Sequence, residues 1–321
     1  MSAKISFPIR VGLVGTGYAA KLRAEAILSD PRATLIAVSG HNYSKTVEFA
    51  EKYQCLPLSD WQDLVSRTDI DLVIIANINS LHGAIAHISL QNNKHVVVEY
   101  PLSLDITEAE NLINLAQSKS KLLHIEHIEI LGSLHQSLRS HLPKIGTPFY
   151  ARYSTITPQN PAPEKWTYHP ELFGFPLMGA LSRVQRFTDL FGEVNSLHCV
   201  NKYWGKSQFF NTCICQAQLQ FKSGLSAEII YGKGESLWCP SRLFEVHGDQ
   251  GALIFDGDKG KLIQSDQITE IELSPRKGLF LQDTQNVLDH LLENKPLYIK
   301  PEASLYALKV ADQLSVSSVG D

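Results

Sequence analysis

The feature that most restricts this chain is Gly15-Thr16-Gly17-Tyr18-Ala19-Ala20, a G-x-G-x-x-A turn. It follows an apolar run at 10–14 and precedes helical spacing through Ala19, Leu22, Ala26 and Ile27 that ends near Pro31. A second β-rich run occupies 34–38. A β-turn-α-β order of this length is the unit from which parallel sheets are built. In such a turn the first glycine permits the sharp reversal and the second lets backbone approach a pyrophosphate. A small third residue keeps the helix close to the sheet. Gly15, Gly17 and Ala20 take those places. The helix start adds unpaired N–H groups and a partial positive charge. The motif predicts a dinucleotide site that includes Gly15, Thr16, Gly17, Tyr18, Ala19 and Ala20.

The choice of dinucleotide depends on the end of the second strand. NAD-selective sites place Asp or Glu about 20 residues after the glycines, on the ribose hydroxyls. Here the segment reads Ser39-Gly40-His41-Asn42-Tyr43-Ser44-Lys45, and the first acid is Glu48. A carboxylate beside a 2′-phosphate would cost about 1–4 kcal/mol at about 4 Å, depending on the effective dielectric. That obstacle is missing; His41, Asn42, Ser44 and Lys45 can donate to the phosphate, and Gly40, His41, Asn42 and Ser44 are the expected cofactor contacts of this loop. NADPH is the expected cofactor, with NADH as the alternative.

Further β-rich runs at 71–76, 95–99 and 122–126 suit strands buried on both faces. Helical segments fit at 44–53, 80–92 and 105–119. Ligands of such sheets lie beyond the C-terminal strand ends. Asn77, Asn79 and His82 stand there, then Glu99, Tyr100 and Pro101, then Glu126, His127 and Glu129. After about residue 145 the rhythm changes. Strand candidates at 149–157, 212–221, 225–231, 242–247, 252–255 and 268–273 are joined mainly by short Gly/Asp/Ser turns, which favour hairpins. Helices are expected at 176–191, 280–293 and 301–316. The 321 residues exceed what one hydrophobic core usually serves. The expected fold is therefore α/β. An N-terminal Rossmann domain with a doubly wound parallel sheet covers 1–122. A C-terminal α+β domain on a large, mainly antiparallel sheet covers 123–321, its final helices free to return to the first domain.

Composition narrows the partners. A net charge of -4 gives no electrostatic grip on nucleic acid. No apolar run approaches the length of a membrane span, and no signal-peptide pattern precedes the first strand. Five cysteines at irregular spacing fit reduced thiols and a cytoplasmic location. Cys213 and Cys215 form a C-x-C pair with no second pair to complete a metal site, so no metal is expected. The oligomeric state is left open.

The order G-x-G-x-x-A, N-x-N-x-x-H at 77–82 and E-Y-P at 99–101 resembles the glucose-fructose oxidoreductase/inositol dehydrogenase family. Most of that family has E-K-P, whose lysine assists deprotonation of a sugar hydroxyl. Tyr100 at that place counts against sugar alcohol oxidation. The tyrosine variant occurs with His124-Ile-Glu-His-Ile-Glu129, Trp166-Thr-Tyr-His169, Phe173-Gly-Phe-Pro-Leu177, Leu181-Ser-Arg183 and Arg186-Phe-Thr-Asp-Leu-Phe-Gly192. Together these resemble the biliverdin reductases of the superfamily, the cyanobacterial enzymes above all. The resemblance covers nearly the whole chain.

The resemblance implies NAD(P)H-dependent reduction of biliverdin at its C10 methine bridge to bilirubin, by direct hydride transfer. It ties Arg183 to substrate and catalysis. Such chemistry needs a broad apolar cleft, cations for two propionates and a polar group near the pyrrole nitrogens. On a helix at 176–191, Leu177, Ala180, Leu181, Val184, Phe187 and Phe191 share one face, expected as a cleft wall. Arg183 lies on its border, where a guanidinium reaches inward while its stem stays packed. Arg186 lies farther round. Tyr100 and Glu126 are further catalytic candidates. Tyr100, His127, Trp166, Tyr168 and Lys233 are candidates for substrate contact, Lys233 for a propionate. The rival readings are a sugar or keto reductase of the same superfamily and a non-catalytic NADP-binding regulator.

Ser44→Asp is expected to shift the ratio of kcat/KM values from NADPH toward NADH by about tenfold, the equivalent of about 1.4 kcal/mol. An unchanged ratio would show that this loop does not meet the 2′-phosphate.

Overall fold

The computed structural model describes residues 7–205 and 208–316. The chain divides into two compact units. One comprises Met1–Ile128 with Gly278–Leu305, the other Glu129–Lys277 with Tyr306–Asp321.

The first unit is built on six strands: β1 (Ile9–Val14), β2 (Ala33–Ser39), β3 (Leu56–Leu58), β4 (Leu72–Ile75), β5 (His95–Glu99) and β6 (Leu123–Glu126). Their spatial order is β3-β2-β1-β4-β5-β6, and every pairing is parallel. The order reverses between β1 and β4, the switch point beyond which ligands bind in such sheets. β4 is buried at all four residues, as a strand covered by helices on both faces must be. The expected division at 122/123 would cut this sheet just before its last strand. β6 pairs with β5 from Leu123 to Glu126, so the first unit runs on to Ile128.

The helix Leu279–Glu293 returns to this unit, and a buried ion pair fastens it. Arg23, on the helix Tyr18–Leu28, is completely buried. Its Nε donates to Glu99 Oε1 at 2.9 Å and its Nη1 donates to Asp283. Asp283 also lies 2.8 Å from His124 Nε2 and accepts from the Tyr298 hydroxyl at 2.7 Å. Burial alone would raise the Asp283 carboxyl. Arg23 and His124 overcome that and hold it well below the usual carboxylate range.

The second unit carries eight strands: β7 (Pro148–Pro158), β8 (Val194–Trp204), β9 (Thr212–Phe221), β10 (Ser226–Gly234), β11 (Ser241–Gly248), β12 (Gly251–Asp256), β13 (Lys259–Gln264) and β14 (Gln267–Glu272). They lie in the order β14-β13-β12-β11-β7-β10-β9-β8. Only the central β7–β10 pair is parallel. β8 and β13 were not expected. β8 is an edge strand whose one fully buried residue is Cys199, so it has no apolar alternation to read. β13 turns only Gly260 and Leu262 inward.

The helix expected at 176–191 is two pieces, Pro176–Gly179 and Ser182–Phe191. Gly179 lies so close to the Phe173 ring that a Cβ would overlap it. The apolar face is not a cleft wall. Leu177, Ala180, Leu181, Val184 and Phe187 are buried in the core. Phe187 stacks on Phe244 of β11 at 5.3 Å, and Phe191 meets Phe221 of β9 edge-on. Packing these side chains on the sheet removes more apolar area from water than an open cleft would.

Asp283→Asn should destabilise the protein by about 3–5 kcal/mol, because the buried Arg23 loses the fully buried one of its two carboxylate partners and keeps only Glu99. In the native protein this contribution is complete above the unfolded carboxylate pKa of about 4 and is lost as pH falls further. Urea denaturation of both proteins between neutral and acidic pH checks this; equal midpoints at pH 7 would refute it.

Candidate active site

The two glycines of the first turn answer to different demands. Gly15 has φ +127°, and a Cβ there would strike the carbonyl of Ala76, just past β4. The fold itself requires it. A Cβ on Gly17 would meet nothing within 4 Å. The protein leaves that approach open, as a pyrophosphate requires. The helix Tyr18–Leu28 begins with no side-chain cap and no acid in its first turn, so its leading N–H groups remain available for an anion. Tyr18 is exposed, Thr16 and Ala19 are half-buried and Ala20 is buried. At the end of β2, a Cβ on Gly40 would press on Thr16 and Thr46 at 2.8 Å each. His41, Asn42 and Ser44 are exposed there. Asn42 accepts from the Lys45 N–H at 3.1 Å, capping the helix Tyr43–Tyr53 and setting the loop. No carboxylate lies between residues 39 and 45.

The next strand ends are tied to one another. Asn77 is half-buried and Asn79 buried. His82 is completely buried, and its Nδ1 donates to the Pro101 carbonyl at 2.7 Å. Burial lowers its pKa and keeps it neutral. It therefore joins the segment after β4 to the turn after β5, as a positioning residue. Glu99 is held by Arg23. Glu126 is 1 % exposed, accepts from the Ile128 N–H at 2.5 Å and shares a hydrogen bond with Glu99. Burial and then the Glu99 charge push the Glu126 carboxyl well above its ordinary value. His127 is buried, with Nε2 2.8 Å from Ser304 Oγ and its ring stacked on Tyr100 at 5.2 Å. Glu99, Tyr100, Glu126 and His127 thus form one connected edge of the first sheet.

The second unit contains an open cleft of about 730 Å³. It runs along β7, the start of β11 and the end of β12, beside the helix Ser182–Phe191. Arg183 enters it. Its Nε donates to Thr155 Oγ1 and its Nη1 to Ser182 Oγ, both at 3.2 Å. Its guanidinium lies 4.9 Å from the centre of the Tyr231 ring. Arg186, one helical turn on, lines the same cleft, as do Arg242, Arg276, Glu129 and Trp238. Glu129 and Arg186 stand in the motifs quoted from the sequence, without a cleft role assigned to them, and Arg242, Arg276 and Trp238 had no signal beyond their residue type. They come from separate elements that only the sheet register brings together.

Trp166, Tyr168 and Lys233 are not brought to this cleft. The Lys233 ammonium donates to the Thr167 carbonyl, with the rings of Phe173, Tyr168 and Phe210 at 3.9, 4.7 and 5.2 Å. Burial pushes it down to about 8. The expected propionate contact is replaced by an internal brace, since a buried ammonium needs acceptors within the protein. Tyr168 is likewise buried and donates to Gln159 at 3.0 Å, and Trp166 packs on Phe173. Among the described residues, no three His, Cys, Asp or Glu side chains are grouped to hold a metal. No described helix is long and apolar enough to cross a membrane.

Residues 9–127 match the oxidoreductase family, NAD-binding Rossmann fold, and residues 142–319 match the oxidoreductase family, C-terminal alpha/beta domain. The chain belongs to this family. The expected pair of sheets, parallel then mainly antiparallel, is the architecture found. Biliverdin reductase from Synechocystis sp. PCC 6803, crystallised with biliverdin and NADP+, is 52% identical. The match covers 97% of this chain and 99% of that one, with a TM-score of 0.95. Human biliverdin reductase A is 25% identical over 318 residues, covering 98% of this chain and 97% of its own length. UDP-N-acetylglucosamine 3-dehydrogenase from Acidithiobacillus ferrooxidans is 28% identical over 153 residues, covering 48% of this chain and 47% of its own.

Gly17→Val is expected to fold normally, because its side chain has room, yet to weaken binding of a nicotinamide dinucleotide by at least about 100-fold through a clash with the pyrophosphate. Fluorescence titration together with a melting curve checks both halves. Unaltered affinity would show that Gly17 does not face the cofactor.

Proposed function

We propose that this chain reduces biliverdin to bilirubin at the C10 methine bridge, with NADPH preferred over NADH. The observation that carries this reading is its 52% identity, over 97% of its length, to an enzyme crystallised with biliverdin and NADP+. The first unit offers the cofactor an open glycine turn, an uncapped helix start and a strand-2 loop without acids. Bound there, NADPH supplies the hydride.

The remaining roles belong to the chain's own residues. Arg183, braced by Thr155, Ser182 and Tyr231, anchors the bilin and stabilises charge that develops on reduction. Its guanidinium holds protons too tightly to be the donor, so the pyrrolic proton comes through water. Tyr100, fixed by stacking on His127, presents a phenol where sugar-oxidising relatives present a lysine. Glu126 acts through Glu99, keeping that strand end in place. The proposed location is the cytoplasm. All five thiols are unpaired, with Cys199 and Cys215 sulfurs 3.3 Å apart and unjoined, which suits a reducing compartment.

Mixing the protein with biliverdin and NADPH should produce bilirubin, seen as a new band in the blue as the reduced nicotinamide absorbance falls. Turnover of a polyol panel with none of the bilin would overturn the reading. Arg183→Ala should lower kcat/KM for biliverdin by about 100-fold or more while NADPH affinity stays within about twofold.

A further inference from the structure

The cleft of the second unit holds more positive charge than its own acids balance. Arg183, Arg186, Arg242 and Arg276 line it against Glu129 and Asp256. The chain as a whole carries a net charge of -4, so this surplus is local. It is also graded by depth. Arg186 is 2 % exposed; one nitrogen lies 3.2 Å from Glu129 Oε2, while Nε and Nη1 have no hydrogen-bond partner. The second Glu129 oxygen holds Arg276, whose side chain is 52% exposed. Arg242 is intermediate at 36% and is paired with Asp258 at 3.2 Å, a residue that is itself 81% exposed.

We propose that Arg242 and Arg276 bind the two carboxylates of the substrate, and that Glu129, fixed by Arg186, sets the Arg276 guanidinium in place. The assignment rests on the bilin reading and names which groups of the pigment the cleft reads. A guanidinium has five donors in a planar fork. Arg242 and Arg276 each spend some of theirs on one protein carboxylate, leaving donors for a second. Four arginines line the cleft against Glu129 and Asp256, with Asp258 beside Arg242, and the two more exposed of them match in number a ligand's two propionates. Arg183 is engaged with Thr155, Ser182 and Tyr231 and is suited to the conjugated body of the ligand. Arg186 is too deep for a carboxylate on a flexible arm and serves instead as the counterion of Glu129. Arg242 and Arg276 remain as the accessible pair.

Steady-state kinetics with biliverdin and with its dimethyl ester test this on wild type, Arg242→Ala, Arg276→Ala, the double variant and the control Arg152→Ala. Arg152 pairs with Glu245 and does not line the cleft. With the diacid, each single variant should raise KM about tenfold and the double variant about 100-fold, in keeping with the loss of one or two charge-assisted pairs. The larger effect should fall on KM, with kcat changed less than about threefold, since these contacts hold ground state and transition state alike. With the ester, wild type should already show the raised KM and the variants should add nothing. Added salt should raise KM for the diacid only while the arginines are present, and Arg276→Lys should recover part of the loss. Melting curves confirm that each variant is folded. A double variant with an unshifted KM for the diacid, or equal losses with diacid and ester, would overturn the assignment. If wild type turns over neither pigment, the bilin reading fails and the carboxylate clamp falls with it. Turnover of both pigments with unshifted variants removes the clamp alone.

Discussion

The charge of Arg23, sealed away from water, is the constraint around which the first unit is arranged. A buried guanidinium is tolerable only when carboxylates meet it with good geometry. Glu99 comes from the end of β5 and Asp283 from a helix that enters the unit 260 residues later. Satisfying one cation therefore fixes the first helix, a strand end and the returning helix together. The same demand reaches the chemistry. Glu99 is held by Arg23, burial and the Glu99 charge beside it keep the Glu126 carboxyl well above its ordinary value, and the turn carrying Tyr100 begins from a fixed point.

The second unit solves a different electrostatic problem. Its helix Ser182–Phe191 gives one face to the core and its polar edge to the cleft. Two arginines one turn apart on that edge have opposite surroundings. Arg183 rests on a ring and two hydroxyls, whereas Arg186 lies under the surface with Glu129. The loop and strand arginines extend the positive lining outward. An anionic, conjugated ligand is suited to such a surface because guanidinium groups stack on flat rings and also grip carboxylates.

What could be read in advance follows from how local each demand is. The runs at 71–76 and 95–99 announce themselves as strands because both of their faces are buried. Gly15 is equally plain, since its backbone angle excludes nearly every other residue. β8 and β13 are paired by neighbours rather than by their own pattern, and their side chains carry little trace of it. In the cleft only Arg183 had a role assigned in advance, through resemblance and its place on the border of the helix face, while Glu129 and Arg186 stood in the quoted motifs without one. Arg242 reaches the same place because β11 pairs with β7 so that it lies opposite Thr155. No window of sequence contains that register. Lys233 shows the converse case, a cation singled out for a ligand contact whose ammonium is met by three aromatic rings and a carbonyl of the protein itself.

Neither unit is one continuous piece of chain. The first is interrupted between Ile128 and Gly278, and the second takes in residues beyond Leu305. Translation therefore cannot deliver a finished N-terminal body ahead of the rest, the usual course for a protein of two domains. While the ribosome is still making the large sheet, Arg23 has emerged but Asp283 does not yet exist. The growing polypeptide carries two incomplete bodies at once, and they close only once the residues on either side of Leu305 have been made.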